Sequence, residues 1–290
     1  MSFLMRNHTA KPCGIRCMMN LVVYNPRASR ADRVDPQAVG KRYFKGEFAV
    51  IAPQQLGCYL PPREVVAIGG DGTLQSVLAW CGDSPTLVRY LPLGTLNERS
   101  EGQEGRPILG RASGGVFTYV LATGIFCPLG WAAPAGAKRK WHRLAYLVRV
   151  PKEYRVQDFP MRVVADGERY EGRYTLAMLI RSPVCFGLPF NHAYRPDEAG
   201  GHLLLVPTTG RDNLLNRIRL FGPLFRIFFV GLGEDKVCSR YVWRRVECVE
   251  IEAPLLEWCA DGERWEMGST EVFWRPAEAR VKVVVPKIDY

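Results

Sequence analysis

The sequence has no uninterrupted apolar run approaching the roughly 18 residues needed to span a bilayer. It has no CxxC pair and no HExxH motif, and its four histidines are dispersed, so a sequence-local zinc site has little support. The nine cysteines are odd in number and scattered, with only Cys13 and Cys17 close together. That pattern fits reduced thiols better than a disulfide framework and predicts a cytoplasmic protein. Arg6, Lys11 and Arg16 surround short apolar stretches without the apolar core of a secretory signal, so none is expected. Internal repeats and low-complexity tracts are missing as well.

What is present is a globular balance of 47% apolar and 23% charged residues over 290 positions, enough for one large or two ordinary domains. The formal net charge of +10 suits anionic surroundings: nucleic acid, acidic headgroups and nucleotides all qualify, and charge alone does not choose among them.

The densest signal is Gly69-Gly70-Asp71-Gly72-Thr73. It follows the apolar run Val65-Val66-Ala67-Ile68, which reads as a buried strand. It precedes Leu74, Val77 and Leu78, whose spacing puts apolar side chains on one helical face. Strand, glycine-rich turn and helix start make a nest of backbone N–H groups suited to phosphate. Asp71 within it would repel phosphate unless a divalent cation lay between them, so the motif calls for metal-bridged phosphate with no P-loop lysine.

Residues 1–17 read as a basic, loosely structured leader. Strands are predicted at Met18–Tyr24, Val65–Ile68 and Thr86–Leu91 with helical segments between, the pattern of a parallel sheet with its crevice at the carboxyl ends of the strands. Beyond about residue 112 strands dominate: Val116–Leu121, Met161–Ala165, Tyr174–Ile180, Leu203–Val206, Val246–Ile251, Leu255–Ala260, Val272–Trp274 and Val281–Val285. Asp166-Gly167 and Asp261-Gly262 predict tight hairpins, and Gly200-Gly201 another turn. The expected organisation is an α/β domain over 18–111, to which 279–290 returns, and a β domain over 112–278. Leu214 to Val230, apolar with Arg217, Arg219 and Arg226 among its residues, reads first as a helix packed on the β domain and second as a membrane-docking element. The cluster Lys138-Arg139-Lys140-Trp141-His142-Arg143 reads as a solvated loop or helix end, with headgroup or phosphate contact as the minority reading.

Motifs in order carry a resemblance. Asn25-Pro26-Arg27-Ala28-Ser29-Arg30 resembles the NPxSG or NPxAG loop of the diacylglycerol kinase catalytic family, which includes sphingosine kinases and bacterial lipid kinases. Gly69–Thr73 matches its GGDGT, Pro92–Glu98 its PxGTxND, and Asp261-Gly262-Glu263 its C-terminal DGE. GGDGT alone would also fit NAD kinases.

The resemblance implies a Rossmann-like nucleotide-binding domain followed by a β-sandwich, with the active site in the cleft between them. It implies ATP and Mg²⁺, a lipid alcohol as acceptor at a membrane surface, no nucleic acid, and peripheral membrane contact through basic and apolar segments; a homodimer stays open. On this basis Asn25, Pro26, Arg27, Ser29, Gly69, Gly70, Gly72, Thr73, Gly94, Thr95 and Asn97 hold nucleotide, with Thr73 also a candidate helix cap. Asp71 holds phosphate through Mg²⁺, and Glu263 is the general base. Asp166-Gly167-Glu168 is the same tripeptide as the one bearing Glu263, and only the family pattern separates the two. Asp197-Glu198-Ala199-Gly200-Gly201 resembles a DxxDG structural-metal motif lacking its second aspartate, leaving Asp197 as a weak ligand. Three further departures are Ser29 in place of glycine, Glu98 in place of aspartate, and Gly124–Pro128 without an acid. The alternatives are a non-catalytic lipid- or nucleotide-binding protein of this fold and a kinase for a soluble, dinucleotide-like acceptor.

Overall fold

The computed structural model describes residues 19–93, 104–128, 154–185, 188–196 and 198–284. The chain divides into two compact units, one of residues 1–105 with 278–290 and the other of residues 106–277.

The first unit is built on a sheet that contains β1 (Asn20–Tyr24), β2 (Phe48–Ile51), β3 (Glu64–Gly69) and β4 (Leu87–Pro92). Their order is β2-β1-β3-β4, followed by the C-terminal strand Arg280–Val283 and then Glu104–Gly105. All pairings up to Arg280–Val283 are parallel, and Glu104–Gly105 joins antiparallel. A parallel sheet is covered on both faces, which is why β1 and β3 read as continuous apolar runs. Val22, Val66 and Ile68 pack with Phe44, which follows helix α1 (Pro36–Tyr43). Helix α2 (Asp71–Cys81) buries Leu74, Val77 and Leu78, as their spacing predicts. The strand β2 was not anticipated: it is a four-residue strand at one end of the sheet, with only Ile51 fully buried, too short and too exposed for its period to register.

Among the described residues the second unit holds a 12-stranded, largely antiparallel sheet organised by one long strand, Glu168–Ile180. Its first half pairs with Phe159–Ala165, and its second half lies between Gly201–Pro207 and Val120–Gly124. Side chains of both arms, among them Val163, Val249, Leu205 and Trp258, meet in one buried cluster, so the sheet folds over a shared core. On the other side of Gly201–Pro207, Leu204 and Val206 are covered by Leu220 and Leu224 of helix α3 (Leu214–Phe225) and by Ile227 and Phe228 of the π-helical turn Arg226–Val230.

Both Asp-Gly pairs close hairpins. Asp166 and Gly167 have φ of 46° and 87°, and Asp261 and Gly262 have 49° and 90°, the left-handed pair a two-residue turn needs. Two expected strands are each divided. Val116–Leu121 is Gly115–Phe117 plus Val120–Gly124, and Val246–Ile251 straddles Tyr241–Val246 and Cys248–Glu252. Both breaks have one cause. The carboxylate of Asp261 accepts the amides of Thr118, Tyr119 and Val120 at 2.5, 2.9 and 2.8 Å, and that of Asp166 accepts those of Glu247 and Cys248 at 3.0 and 2.9 Å. Ile108–Ala112 pairs with Thr270–Pro276, which moves residues 106–111 from the α/β domain expected on sequence into the second unit.

Candidate functional site

In a β2-β1-β3-β4 sheet the connections leave β1 and β3 in opposite directions, which makes the carboxyl ends of those two strands the switch point where open α/β sheets bind ligands. The loops after β1, β3 and β4 meet there. Asn25 donates its backbone N–H to the Ile68 carbonyl at 3.0 Å, and Leu93 donates its own to the Gly69 carbonyl at 2.7 Å. The Asn25 side chain works in two directions: Nδ2 donates to Thr73 Oγ1 at 3.0 Å, and Oδ1 accepts from the Arg27 amide at 3.0 Å. Ser29, standing where the resembled motif has glycine, donates its hydroxyl to the Leu93 carbonyl at 2.9 Å, and the Arg30 amide adds a 3.3 Å bond to the same oxygen. Ser29 thus joins the first loop to the third. Pro26 and Arg27 are exposed at the rim.

The glycines of the second loop have separate reasons. A Cβ on Gly69 would collide with the Thr73 side chain, whereas a Cβ on Gly72 would meet nothing within 4 Å. Gly69 is required by the protein's own packing; the space beside Gly72 is filled by none of the described residues. Gly70 is the N-cap of α2, extended at φ −89°, ψ −174°, and no side chain caps the helix. The Thr73 amide donates to the Gly70 carbonyl at 2.9 Å, so the positive end of the α2 dipole and the amides of its first two residues are what this end presents to an anion. Asp71 is the first helical residue. Thr73, a candidate cap on sequence, is instead 3% exposed inside the first turn, where its hydroxyl accepts from Asn25 and its bulk fills the space over Gly69. Gly94, Thr95 and Asn97 lie outside the described residues.

In the second unit Glu263 is exposed immediately after the Asp261-Gly262 turn, opposite Ala260. Glu168 has the same local setting opposite Ala165, with the Arg244 guanidinium 4.0 Å from its carboxylate. Turn geometry treats the two glutamates alike; the cation beside Glu168 is what distinguishes them. The segment Gly124–Pro128 supplies apolar core: Ile125 and Cys127 are buried, and burial pushes the Cys127 thiol well up.

Asp197 and the basic cluster at 138–143 lie outside the described residues. Around Asp197 the loop is held by arginines. Arg181, 7% exposed, donates to the carbonyls of Pro196 and Glu198 at 2.8 and 3.0 Å; Arg245 donates to the Ala199 carbonyl at 3.1 Å and pairs with the Glu198 carboxylate at 3.1 Å. Among the described residues no group of three or more His, Cys, Asp or Glu is placed to hold a metal ion.

No family model and no curated protein matches the chain. Solved structures do. A diacylglycerol kinase of Bacillus anthracis str. Sterne is similar at a TM-score of 0.58, with 16% identity over 94% of this chain and 97% of that one. A protein of the same strain, provisionally named a diacylglycerol kinase, gives 0.63 with 16% identity over 96% and 98%. A third structure, under the same provisional name, gives 0.65 with 16% identity over 94% and 98%. Over nearly its whole length, then, this chain has the fold of proteins named as diacylglycerol kinases.

Proposed function

We propose that this chain is a phosphotransferase that moves the terminal phosphoryl group of Mg-ATP onto the hydroxyl of a lipid alcohol. The observation that carries the reading is the start of α2, with a glycine at its N-cap, at the β1/β3 switch point, with none of the described residues beside Gly72 and a carboxylate residue at the first helical position. A single acidic residue does not make a metal cage, but Mg²⁺ is commonly bound through one or two carboxylates together with substrate phosphates. The donor set therefore fits a metal that arrives on the nucleotide, where it would neutralise phosphate charge.

In this reading the α2 amides and the loop of Asn25 bind and orient the triphosphate, and Asp71 is the residue that would hold a nucleotide-borne Mg²⁺. Glu263 takes the proton from the acceptor hydroxyl as its oxygen bonds to the γ-phosphorus; the bond from that phosphorus to the bridging oxygen breaks and ADP leaves. A lipid acceptor is supported by the resemblance of the four motifs and by the fold shared with named diacylglycerol kinases.

Incubation with radiolabelled ATP, Mg²⁺ and a total lipid extract tests the proposal. Label in the organic phase is expected. Label on an aqueous acceptor would instead favour a soluble substrate, and no transfer a binding protein. Asp71→Ala is expected to abolish transfer, and Glu263→Gln to leave Mg-ATP binding while cutting turnover at least about 100-fold. Glu168→Gln, the internal control, should retain turnover.

A further inference from the structure

Helix α3 and the π-turn after it are apolar on two sides. One side is core: Leu220, Leu224, Ile227 and Phe228 are buried beneath it. The other side is wet and equally apolar. Leu214, Ile218, Phe221, Phe225 and Phe229 follow one another at spacings of three and four residues and are between 46% and 76% exposed. The rings of Phe221, Phe225 and Phe229 stack in series at 5.8 and 5.1 Å. Scattered exposed apolar residues are ordinary, but a contiguous aromatic and aliphatic stripe along a helix marks a surface that meets something.

Charge identifies what it meets. From Asn213 to Gly233 the chain carries Arg217, Arg219 and Arg226 and no carboxylate. Arg217 pairs with Asp212. Among the described residues Arg219 reaches the Asn216 side-chain oxygen, at 3.5 Å, and Arg226 donates to the Gly231 carbonyl, so neither cation is neutralised by those contacts. Leucines and phenylalanines bordered by arginines are the composition of a helix that lies in the interface of an anionic bilayer: rings enter the acyl boundary while guanidinium groups stay at headgroup level. A second copy fits less well, because a two-fold contact through this stripe would bring the same cationic rims together. Spanning is not at issue, since among the described residues no helix is long and apolar enough to cross a membrane.

We infer that the stripe Leu214–Ile218–Phe221–Phe225–Phe229 docks this protein in the plane of an anionic lipid bilayer. The docking stands or falls independently of the phosphotransferase reading, because it needs neither nucleotide nor turnover.

Co-sedimentation of the full chain with vesicles tests it, using phosphatidylcholine containing about 30% phosphatidylglycerol against phosphatidylcholine alone. The full chain should bind the anionic vesicles, release at high salt as the headgroup attraction is screened, and bind the neutral ones far more weakly. Phe225→Glu and Phe221→Glu should each lower partition about tenfold or more while leaving the melting temperature unchanged, because both rings face water in the free protein. Arg219→Gln should weaken binding to anionic vesicles only. No binding to anionic vesicles, equal binding to neutral ones, or a folded Phe225→Glu variant with undiminished partition would each overturn the inference. So would a dimer in solution that either glutamate variant converts to monomer, which would assign the stripe to a second copy.

Discussion

At the scale of single residues, Gly69 and Gly72 of the turn differ in what surrounds them. Gly69 lies against Thr73, so Gly69→Ala overpacks the turn and should cost about 1–3 kcal/mol of stability. Gly72 is helical, has no positive φ and faces open space. Gly72→Ala should therefore leave the melting temperature unchanged or raise it, by up to about 1 kcal/mol of stability, since alanine restricts the unfolded chain. If phosphate approaches that backbone, the added methyl group occupies its path, and calorimetry should show Mg-ATP affinity lowered about tenfold or more. Unchanged affinity in a stabilised Gly72→Ala protein would remove this turn from nucleotide binding. The strand, glycine-rich turn and helix start around Asp71 were legible because an apolar run, paired glycines and an amphipathic spacing follow one another there. Which glycine the protein's own packing requires was not legible, because that depends on Thr73 folding back over the turn.

At the scale of elements, most strands were legible and their interruptions were not. Period-two apolar runs show where a ladder can form, but they do not show where a distant carboxylate will take its amides. Asp261 and Asp166 each do two jobs, adopting the left-handed turn conformation and capturing amides of a neighbouring segment. Asp261→Ala and Asp166→Ala should each cost about 1–3 kcal/mol, beyond what turn propensity predicts, because amides of the partner segment lose a charged acceptor. Denaturant midpoints of Asp→Asn and Asp→Ala variants would check this, the asparagine recovering part of the loss. The Pro196–Gly200 loop makes the same point with the charges exchanged. Its carbonyls are met by guanidinium groups, so a chelator should leave the melting temperature of the nucleotide-free protein unchanged. Arg181→Met should lower it, with two carbonyls left unpaired. A melting temperature that falls with chelator would instead assign the loop a metal at Asp197. Helix α3 was legible as a packed helix from its apolar content; that its second apolar face is exposed became apparent only once the sheet had taken the first.

At the scale of the whole molecule, stability should depend on pH through one buried base. His202 is 5% exposed, lies flat on Trp243 with ring centroids 4.7 Å apart, and has Nδ1 3.3 Å from the Asn191 side-chain nitrogen. Burial pulls its pKa from the ordinary 6.5 down to about 4; the nearby Asp235 and Glu198 oppose that shift, and Arg245 and Arg181 add to it. The unfolded chain therefore takes up a proton that the folded chain refuses. Above about pH 6.5 neither state is protonated here and stability is intact; as pH falls from 6.5 to 4 the unfolded state gains, and below 4 the loss is complete. The full loss is on the order of 3 kcal/mol, since each pKa unit corresponds to roughly 1.4 kcal/mol. The exposed ion pair of Asp212 with Arg217 acts in a separate window: hydrogen bonds from Arg217 and the Val156 amide hold the Asp212 carboxyl at about 2, so its contribution is lost only as pH falls from 3.8 toward 2. Urea midpoints measured from pH 7.5 to 4 should fall mainly below 6.5, and His202→Gln, which cannot gain a proton, should flatten that interval at some cost in stability at neutral pH. An equally steep decline in the glutamine variant would mean that the acid sensitivity resides elsewhere in the chain.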